Sequence, residues 1–189
     1  HPDASGEVAK LLDSLKSNPG NDHFIGAYSL GKAQRIIRIL RDLGHDDEIL
    51  LHGSMETLCS YYQSRGIELG RLSKLIDAGA RRKNGGSIII GPPSAIGTTW
   101  VNRMADPVFA YASGWMRIRQ RAKRAGVELP LIVSDHCDWP ELQQSIFDSG
   151  AGEIWVTHGN EDGLVRWCAM QGIAAKPLRL VGFSDEGDQ

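Results

Sequence analysis

Short apolar runs alternate with helical patterns along this chain, and no other feature of the sequence limits the fold as strongly. Seven apolar runs are typical of buried strands, namely 24–29, 48–51, 87–90, 108–112, 131–133, 154–156 and 175–181. Apolar residues recur at helical spacing between most of them, as they also do in 2–18. Alternating strands and helices predict an α/β fold, with a mostly parallel sheet, helices on both of its faces and right-handed crossovers.

Two of these runs, 131–133 and 154–156, end in polar clusters that each contain a histidine. The side chains of the clusters are Ser134, Asp135, His136, Asp138, Thr157 and His158. Because ligands bind at the carboxyl ends of parallel strands, neighbouring strands would place His136 and His158 on one rim of the sheet. Imidazole is a common metal ligand and a common general acid or base, so a functional site is predicted there. The alternative is that each histidine forms only local hydrogen bonds in a loop.

The residues that follow His136 predict the start of a helix. Asp138 is placed to accept hydrogen bonds from the first turn, and Pro140 fits a position that needs no backbone N–H. Further helices are expected over 96–104 and 161–172. The polar stretch 71–86 is interpreted as a connection in which three consecutive cations lie on a solvated loop, namely Arg81, Arg82 and Lys83.

The composition is that of an ordinary soluble globular protein. With 189 residues, 41% of them hydrophobic and 23% charged, the chain can form one large domain or one and a half small ones. No apolar run approaches the roughly 20 residues of a membrane span, and no secretory leader is present, so we expect a cytoplasmic protein without membrane contact. Cys59, Cys137 and Cys168 lack CxxC spacing and are expected to be free thiols. A first residue, His1, that is not methionine is typical of a fragment or a processed chain.

The turn after the first strand has the residues of an anion site. Ser29-Leu30-Gly31-Lys32 joins a strand to a helix, and backbone N–H groups at a helix start, with Lys32 or Arg35, suit a phosphate. The alternative is a close-packed strand-to-helix turn in which Gly31 is needed for steric reasons. The GxxxxGK[ST] spacing of a Walker loop is absent.

A basic segment follows the strand at 108–112. It begins at Trp115, and its cations are Arg117, Arg119, Arg121, Lys123 and Arg124. Clustered cations beside an aromatic ring suit a phosphate backbone and a stacked base, which makes nucleic acid the expected partner. A solvated helix face is the alternative. The formal net charge of −2 argues against a wholly basic nucleic-acid binder but is compatible with one local basic face.

Four motifs together carry a family resemblance: Tyr28-Ser29-Leu30-Gly31-Lys32-Ala33-Gln34, Gly91-Pro92-Pro93-Ser94, Ser134-Asp135-His136-Cys137-Asp138-Trp139 and Val156-Thr157-His158-Gly159. From about Phe24 to Val181 the chain resembles the C-terminal part of a β-CASP metallo-β-lactamase-fold nuclease. It is most similar to the bacterial ligase-associated DNA exonucleases, whose relatives include messenger-RNA 3′-end processing endonucleases. The resemblance implies a connecting helix at 1–16, a β-CASP domain at 17–129, and the C-terminal βαβ return of the metallo-β-lactamase fold at 130–189.

The resemblance also implies roles for single residues. His136 matches the motif B histidine, which assists proton transfer, and Asp138 matches its polar partner, so both are candidate catalytic residues. His158 matches the motif C histidine, a zinc ligand. The implied cofactor is a pair of zinc ions, with manganese as an alternative, and the implied reaction is attack of a metal-bound hydroxide on a phosphodiester. The predicted nucleic-acid contacts are Lys32, Arg35, Trp115, Arg117 and Arg119.

The sequence departs from the family in one major respect. The HxHxDH metal motif, a later ligand histidine, a bridging aspartate and the motif A acid are all absent from it. One ligand cannot hold two zinc ions, so these 189 residues alone are expected to be inactive and to need an N-terminal metallo-β-lactamase half. The implied partners of the complete enzyme are single-stranded DNA and, functionally, a DNA ligase. The open alternatives are an RNA-processing relative, a non-catalytic nucleic-acid-binding module, and a doubly wound enzyme acting on a small phosphorylated molecule.

Overall fold

Six parallel strands form the main sheet of the protein. The computed structural model describes residues 1–75 and 85–180. In chain order the strands are β1 (His23–Gly26), β2 (Ile49–Leu51), β3 (Leu72–Lys74), β4 (Ile88–Gly91), β5 (Val108–Ala112) and β6 (Leu129–Leu131). Their spatial order is β3-β2-β4-β1-β5-β6, and every pairing between them is parallel. The predicted α/β class with a parallel sheet is therefore confirmed.

One face of this sheet packs against three α-helices. They are α1 (Ala4–Ser17), α2 (Lys32–Asp42) and α3 (Gly53–Ser64). Alternate strand residues point to this face and form one buried cluster with apolar side chains of the helices, among them Leu11, Ile36 and Met55. Side chains of a strand alternate between the faces, so Phe24 and Ile89 lie in a second cluster on the opposite face.

Shorter helical segments cover the opposite face. Two 3-10 segments, Pro93–Ala95 and Thr99–Arg103, pack near Phe24, and a third, Gly114–Arg117, leads into the short helix α4 (Arg119–Arg124). Apolar residues of this last region form a small cluster of their own, made of Met116, Ala122 and Val127. The expectation of helices on both faces is met by long helices on one face and by single helical turns on the other.

One local prediction was wrong, and a second was met only in part. The stretch 71–86, expected to be a polar connection, contains the edge strand β3, whose side chains are only partly buried and so give no apolar run. The helix expected over 96–104 is the 3-10 segment Thr99–Arg103, preceded by the left-handed residue Gly97. The predicted solvated loop that contains Arg81, Arg82 and Lys83 lies outside the described residues.

The chain divides after His136 into two compact units, and the main sheet belongs to the first. The second unit contains α5 (Trp139–Ser149), β7 (Glu153–Val156), α6 (Glu161–Met170) and β8 (Ala174–Pro177), with β7 and β8 paired in parallel. Its β7-α6-β8 order is the βαβ arrangement that the sequence predicts for this part of the chain. No helix within the described ranges combines the length and the apolar character needed to cross a bilayer.

Candidate functional site

The turn between β1 and α2 is fixed by the side chain of Gln34, which is 2% exposed. Its Oε1 accepts a hydrogen bond from the backbone N–H of Gly31 at 2.8 Å, and its Nε2 donates to the carbonyl oxygen of Ser29 at 2.9 Å. Gly31 has a φ of +80°, a value that favours glycine over residues with a Cβ. The Leu-Gly-Lys-Ala-Gln motif therefore encodes a rigid turn in which Lys32 is the first helical residue.

Lys32 is almost completely buried. Its side chain is 4% exposed, and its Nζ lies 3.4 Å from Oδ2 of Asp135. The same ammonium lies over the ring of Tyr28, 5.2 Å from the ring centroid. The cation that the sequence assigns to phosphate contact is thus engaged by a carboxylate and an aromatic ring of the protein itself.

Arg35 lies one turn further along α2 and reaches the same segment. Its Nη1 donates to the carbonyl oxygen of Ser134 at 2.8 Å and lies 3.5 Å from Oδ1 of Asp135. The Arg35 side chain is 47% exposed, so its outer edge remains accessible to solvent. Of the two cations predicted to contact phosphate from this turn, Arg35 is the accessible one.

His136 is exposed and follows two anchored residues. Its backbone N–H donates to Oγ of Ser134 at 3.1 Å, which closes a tight turn after β6. An exposed imidazole on a fixed backbone can exchange a proton with a bound substrate. The catalytic role of His136 stays a prediction.

Asp138 caps α5, as predicted. Its Oδ1 accepts a hydrogen bond from the N–H of Glu141 at 3.1 Å, and Oε2 of Glu141 accepts from the N–H of Asp138 at 2.8 Å. This reciprocal pair is a capping box, and Pro140 stands in the first turn. The carboxylate predicted to be catalytic therefore has a structural function as the cap of α5.

His158 has an unusual backbone conformation. Its φ is +66°, in the left-handed region, and Gly159 follows with +74°. A non-glycine residue there costs on the order of 1–2 kcal/mol, although histidine is enriched in this region compared with most other residues. The imidazole is exposed, and backbone strain of this kind is found preferentially at functional positions.

The strands before the two histidines lie in different compact units. The strand before His136 is β6, which pairs with β5 in the main sheet, and the strand before His158 is β7, which pairs with β8 in the second unit. A common rim for the two imidazoles stays a prediction. Among the described residues, no group of three or more His, Cys, Asp or Glu side chains is arranged to hold a metal ion. These residues do not by themselves fit the two-zinc centre that the resemblance implies.

Trp115 and the cations after it form one continuous exposed feature, which we call the basic surface. It consists of Trp115, Arg117, Arg119, Arg121, Lys123 and Arg124, all exposed. The indole of Trp115 is 58% exposed, and the guanidinium carbon of Arg121 lies 3.7 Å from its ring centroid. None of these cations forms an ion pair with a residue in the described part of the chain. The buried side chains of Met116 and Ala122 attach this surface to the sheet.

Sequence reasoning missed two tyrosines near the turn after β1. Tyr28 is 58% exposed, and it neighbours Tyr111 of β5, whose pKa is raised first by burial and then by the phenol of Tyr28. Only the order of the strands brings these residues together, so no local pattern could have identified the pair. His52, by contrast, has a structural role, because it is the N-cap of α3 and packs on Trp100 at 4.6 Å between ring centroids.

Comparison with known proteins identifies no family for this chain. No protein-family model matches the chain, and no curated protein matches it significantly. The site is accordingly characterised by three features of the first unit: the fixed turn before α2, the anchored segment that ends at His136, and the basic surface.

Proposed function

We propose that this chain binds a single strand of nucleic acid, preferably DNA, and supplies a proton-transfer histidine to a metal-dependent phosphodiesterase of the β-CASP type. The observation that carries the proposal is the basic surface. Its five cations and one accessible indole lie within ten consecutive positions, 115–124, of a single compact unit. Single-strand binding proteins use the same two elements, cations along the backbone and aromatic rings under the bases.

The basic surface is suited to a flexible strand. Each base stacked on an aromatic ring contributes about 1–3 kcal/mol, and each phosphate neutralised adds a salt-dependent term. Arg121 lies against the indole of Trp115. A planar guanidinium in that position can contact the phosphate of a nucleotide whose base stacks on the indole. No acidic residue occurs between Trp115 and Arg124, so nothing in the segment itself repels a phosphate.

The hydrolytic part of the proposal rests on the motifs. His136 is exposed at the end of an anchored segment, where an imidazole can protonate a leaving oxygen near neutral pH. His158 is the proposed zinc ligand, and the remaining ligands, absent from these 189 residues, would come from a metallo-β-lactamase half. Zinc or manganese would supply the nucleophile and stabilise charge in such an enzyme. A functional link to a DNA ligase belongs to the same proposal.

A second candidate function is non-catalytic binding of nucleic acid. The basic surface is complete within the first unit and depends on no metal ion. A chain with this surface could hold a strand for another protein without hydrolysing it. Activity of the full-length protein distinguishes the two functions, because both predict binding and only one predicts cleavage.

The binding proposal is tested with the chain itself. Fluorescence anisotropy would compare labelled single-stranded DNA, single-stranded RNA and duplex DNA over a series of salt concentrations. The double variant Arg117→Glu/Arg119→Glu should weaken binding to all sequences alike and reduce the salt dependence, which is about 0.7 per phosphate contact for a single strand. The matched control is Lys16→Glu/Arg166→Glu, which changes the net charge equally at two exposed positions outside the basic surface.

The control decides what a loss of affinity means. If both double variants weaken binding to the same extent, the protein responds only to net charge and the basic surface has no specific role. An unchanged affinity and salt slope in Arg117→Glu/Arg119→Glu would contradict the proposal directly.

A further inference from the structure

We propose that Lys32 and Arg35 are positioning residues that hold the segment Ser134–His136 and thereby fix the backbone of His136. This inference departs from the phosphate contact that the sequence assigns to both cations. Its structural part stands on the contacts of the first unit alone, and its consequence for catalysis rests on the proposed function.

The position of Lys32 within α2 needs an explanation. A cation in the first turn of a helix is disfavoured by the helix dipole, and burial disfavours it further. Lys32 is the first residue of α2, its side chain is 4% exposed, and the first turn contains no acidic residue. A buried ammonium persists at such a position only with a compensating partner, and Asp135 provides the carboxylate at 3.4 Å.

Arg35 extends the same anchor by one turn. Residues three apart share a helix face, so Lys32 and Arg35 point to the same segment. Arg35 Nη1 donates to the carbonyl oxygen of Ser134 at 2.8 Å, next to the carboxylate that Lys32 engages. Two consecutive residues are therefore tied to one helix, and the next residue in the chain is His136.

The anchored segment follows a strand at the edge of the sheet. β6 pairs with β5 alone in the main sheet, while α2 follows β1 on the other side of β5. The two cations of α2 thus reach across a strand to hold the chain after β6. A third tie comes from α1, where Oε2 of the buried Glu7 accepts a hydrogen bond from the N–H of Ile132 at 2.9 Å. Ties at residues 132, 134 and 135 leave His136 as the first residue whose side chain is free to act.

The exposed imidazole gains its position from these ties. Within the segment, Oγ of Ser134 accepts a hydrogen bond from the N–H of His136 at 3.1 Å. Ser134 is also the residue whose carbonyl oxygen is held by Arg35, so it links Arg35 to the backbone of His136. Loss of the Lys32 contact should loosen the segment without removing the proton-transfer group. A general acid that is present but badly placed lowers turnover more than it lowers affinity.

The structural part is tested by amide relaxation in the 189-residue chain. Lys32→Met keeps the apolar stem and removes the ammonium, and the 15N order parameters at Ser134, Asp135 and His136 should fall from rigid values to below about 0.6. Lys32→Arg should restore them. Asp135→Asn removes the same contact from the more exposed side and keeps the test decisive if Lys32→Met does not fold. Arg38→Met is the matched control, because Arg38 lies on the same helix but pairs with Asp42 and Glu68.

The catalytic part is tested in the full-length protein. Lys32→Met should lower kcat by about tenfold or more while KM and the affinity for single-stranded DNA change less than about twofold. Lys32→Met should have no further effect when combined with His136→Ala. Reduced DNA affinity with an unchanged kcat and a rigid segment would identify Lys32 as a phosphate contact and overturn the inference. A loosened segment in a full-length protein that does not cleave DNA would contradict the proposed function and support the anchoring role.

Discussion

The guanidinium carbon of Arg121 lies 3.7 Å from the ring centroid of Trp115, so one face of an exposed indole is in contact with a cation. Stacking of this kind holds the indole in one orientation. A ring fixed in this way loses less side-chain entropy when a base stacks on it. The pair therefore provides both of the interactions that the proposed single-strand binding requires, a flat apolar surface and a positive charge beside it.

The first prediction concerns Trp115 itself. Trp115→Ala should weaken binding of single-stranded DNA by about 1–3 kcal/mol, the usual contribution of one stacked base. Trp115→Phe should retain part of the affinity because a smaller ring still stacks. Anisotropy titrations at one salt concentration measure both variants. Trp155→Ala is the matched control, since Trp155 is 55% exposed but lies in the other unit, and an equal loss in that control would refute a specific role for Trp115.

The second prediction concerns His136 in the full-length protein. His136→Ala should lower turnover by roughly 10²–10⁴-fold, the usual contribution of a general acid or base, and should leave metal content and DNA affinity nearly unchanged. Steady-state cleavage assays and zinc analysis on the same preparation provide both quantities. Loss of metal together with loss of turnover would reassign His136 as a ligand.

The third prediction concerns His158. Because it is the proposed zinc ligand, His158→Ala in the full-length protein should lower metal occupancy as well as activity. His158→Asn is a useful second variant, because asparagine tolerates the left-handed conformation that His158 adopts, with its φ of +66°. Comparing the two separates the effect of the lost imidazole from the effect of backbone strain. Full zinc content and full activity in both variants would exclude His158 from the site.

The fourth prediction separates two roles of Asp138. Asparagine caps helices about as well as aspartate, so Asp138→Asn should leave the stability nearly unchanged, whereas Asp138→Ala should lower it by about 1 kcal/mol. If the carboxylate also takes part in chemistry, Asp138→Asn should lower turnover of the full-length protein by at least about tenfold. Urea unfolding and cleavage assays on the two variants provide the comparison. Wild-type turnover in Asp138→Asn would show that the residue serves only as the cap of α5.

The central part of the fold could be predicted because it is buried on both faces. Strands such as β1 and β4 are buried at every position and stand out as apolar runs. The edge strand β3 could not be found in this way, since its residues are half exposed and its pairing depends on a neighbour distant in sequence. Strand order is likewise a tertiary property, which is why the place of β5 between β1 and β6 does not follow from the pattern.

The same distinction applies to the candidate site. The exposed positions of His136 and of the basic surface follow from where strands and helices end, and local sequence indicates those ends. The ion pair of Lys32 with Asp135 does not follow, because it joins the start of α2 to a segment two strands away. Local sequence shows that Lys32 begins a helix. It does not show that the ammonium is buried, and burial is what changes the expected role of Lys32 from phosphate contact to positioning.

The last prediction concerns the buried histidine at the start of β1. His23 is fully buried, with Nε2 2.9 Å from the hydroxyl oxygen of Ser14 and Nδ1 3.2 Å from the carbonyl oxygen of Asn21. Burial lowers its pKa, and this outweighs the opposing effects of the Asn21 hydrogen bond and the Asp22 charge. The unfolded chain, in which a histidine pKa is about 6.5, therefore takes up a proton at a higher pH than the folded protein does.

Stability should consequently fall as the pH decreases through the unfolded-state pKa of about 6.5, and the loss should end below the lowered pKa of the folded state. The titration of one histidine changes the free energy of unfolding by at most about 1.4 kcal/mol per pH unit. Urea unfolding between about pH 8 and pH 5 measures the slope. His23→Gln should flatten it, because glutamine retains hydrogen-bonding groups but does not titrate. An identical slope in His23→Gln would place the acid sensitivity elsewhere, with His45 and His52 as the next residues to replace, because burial also lowers the pKa of both.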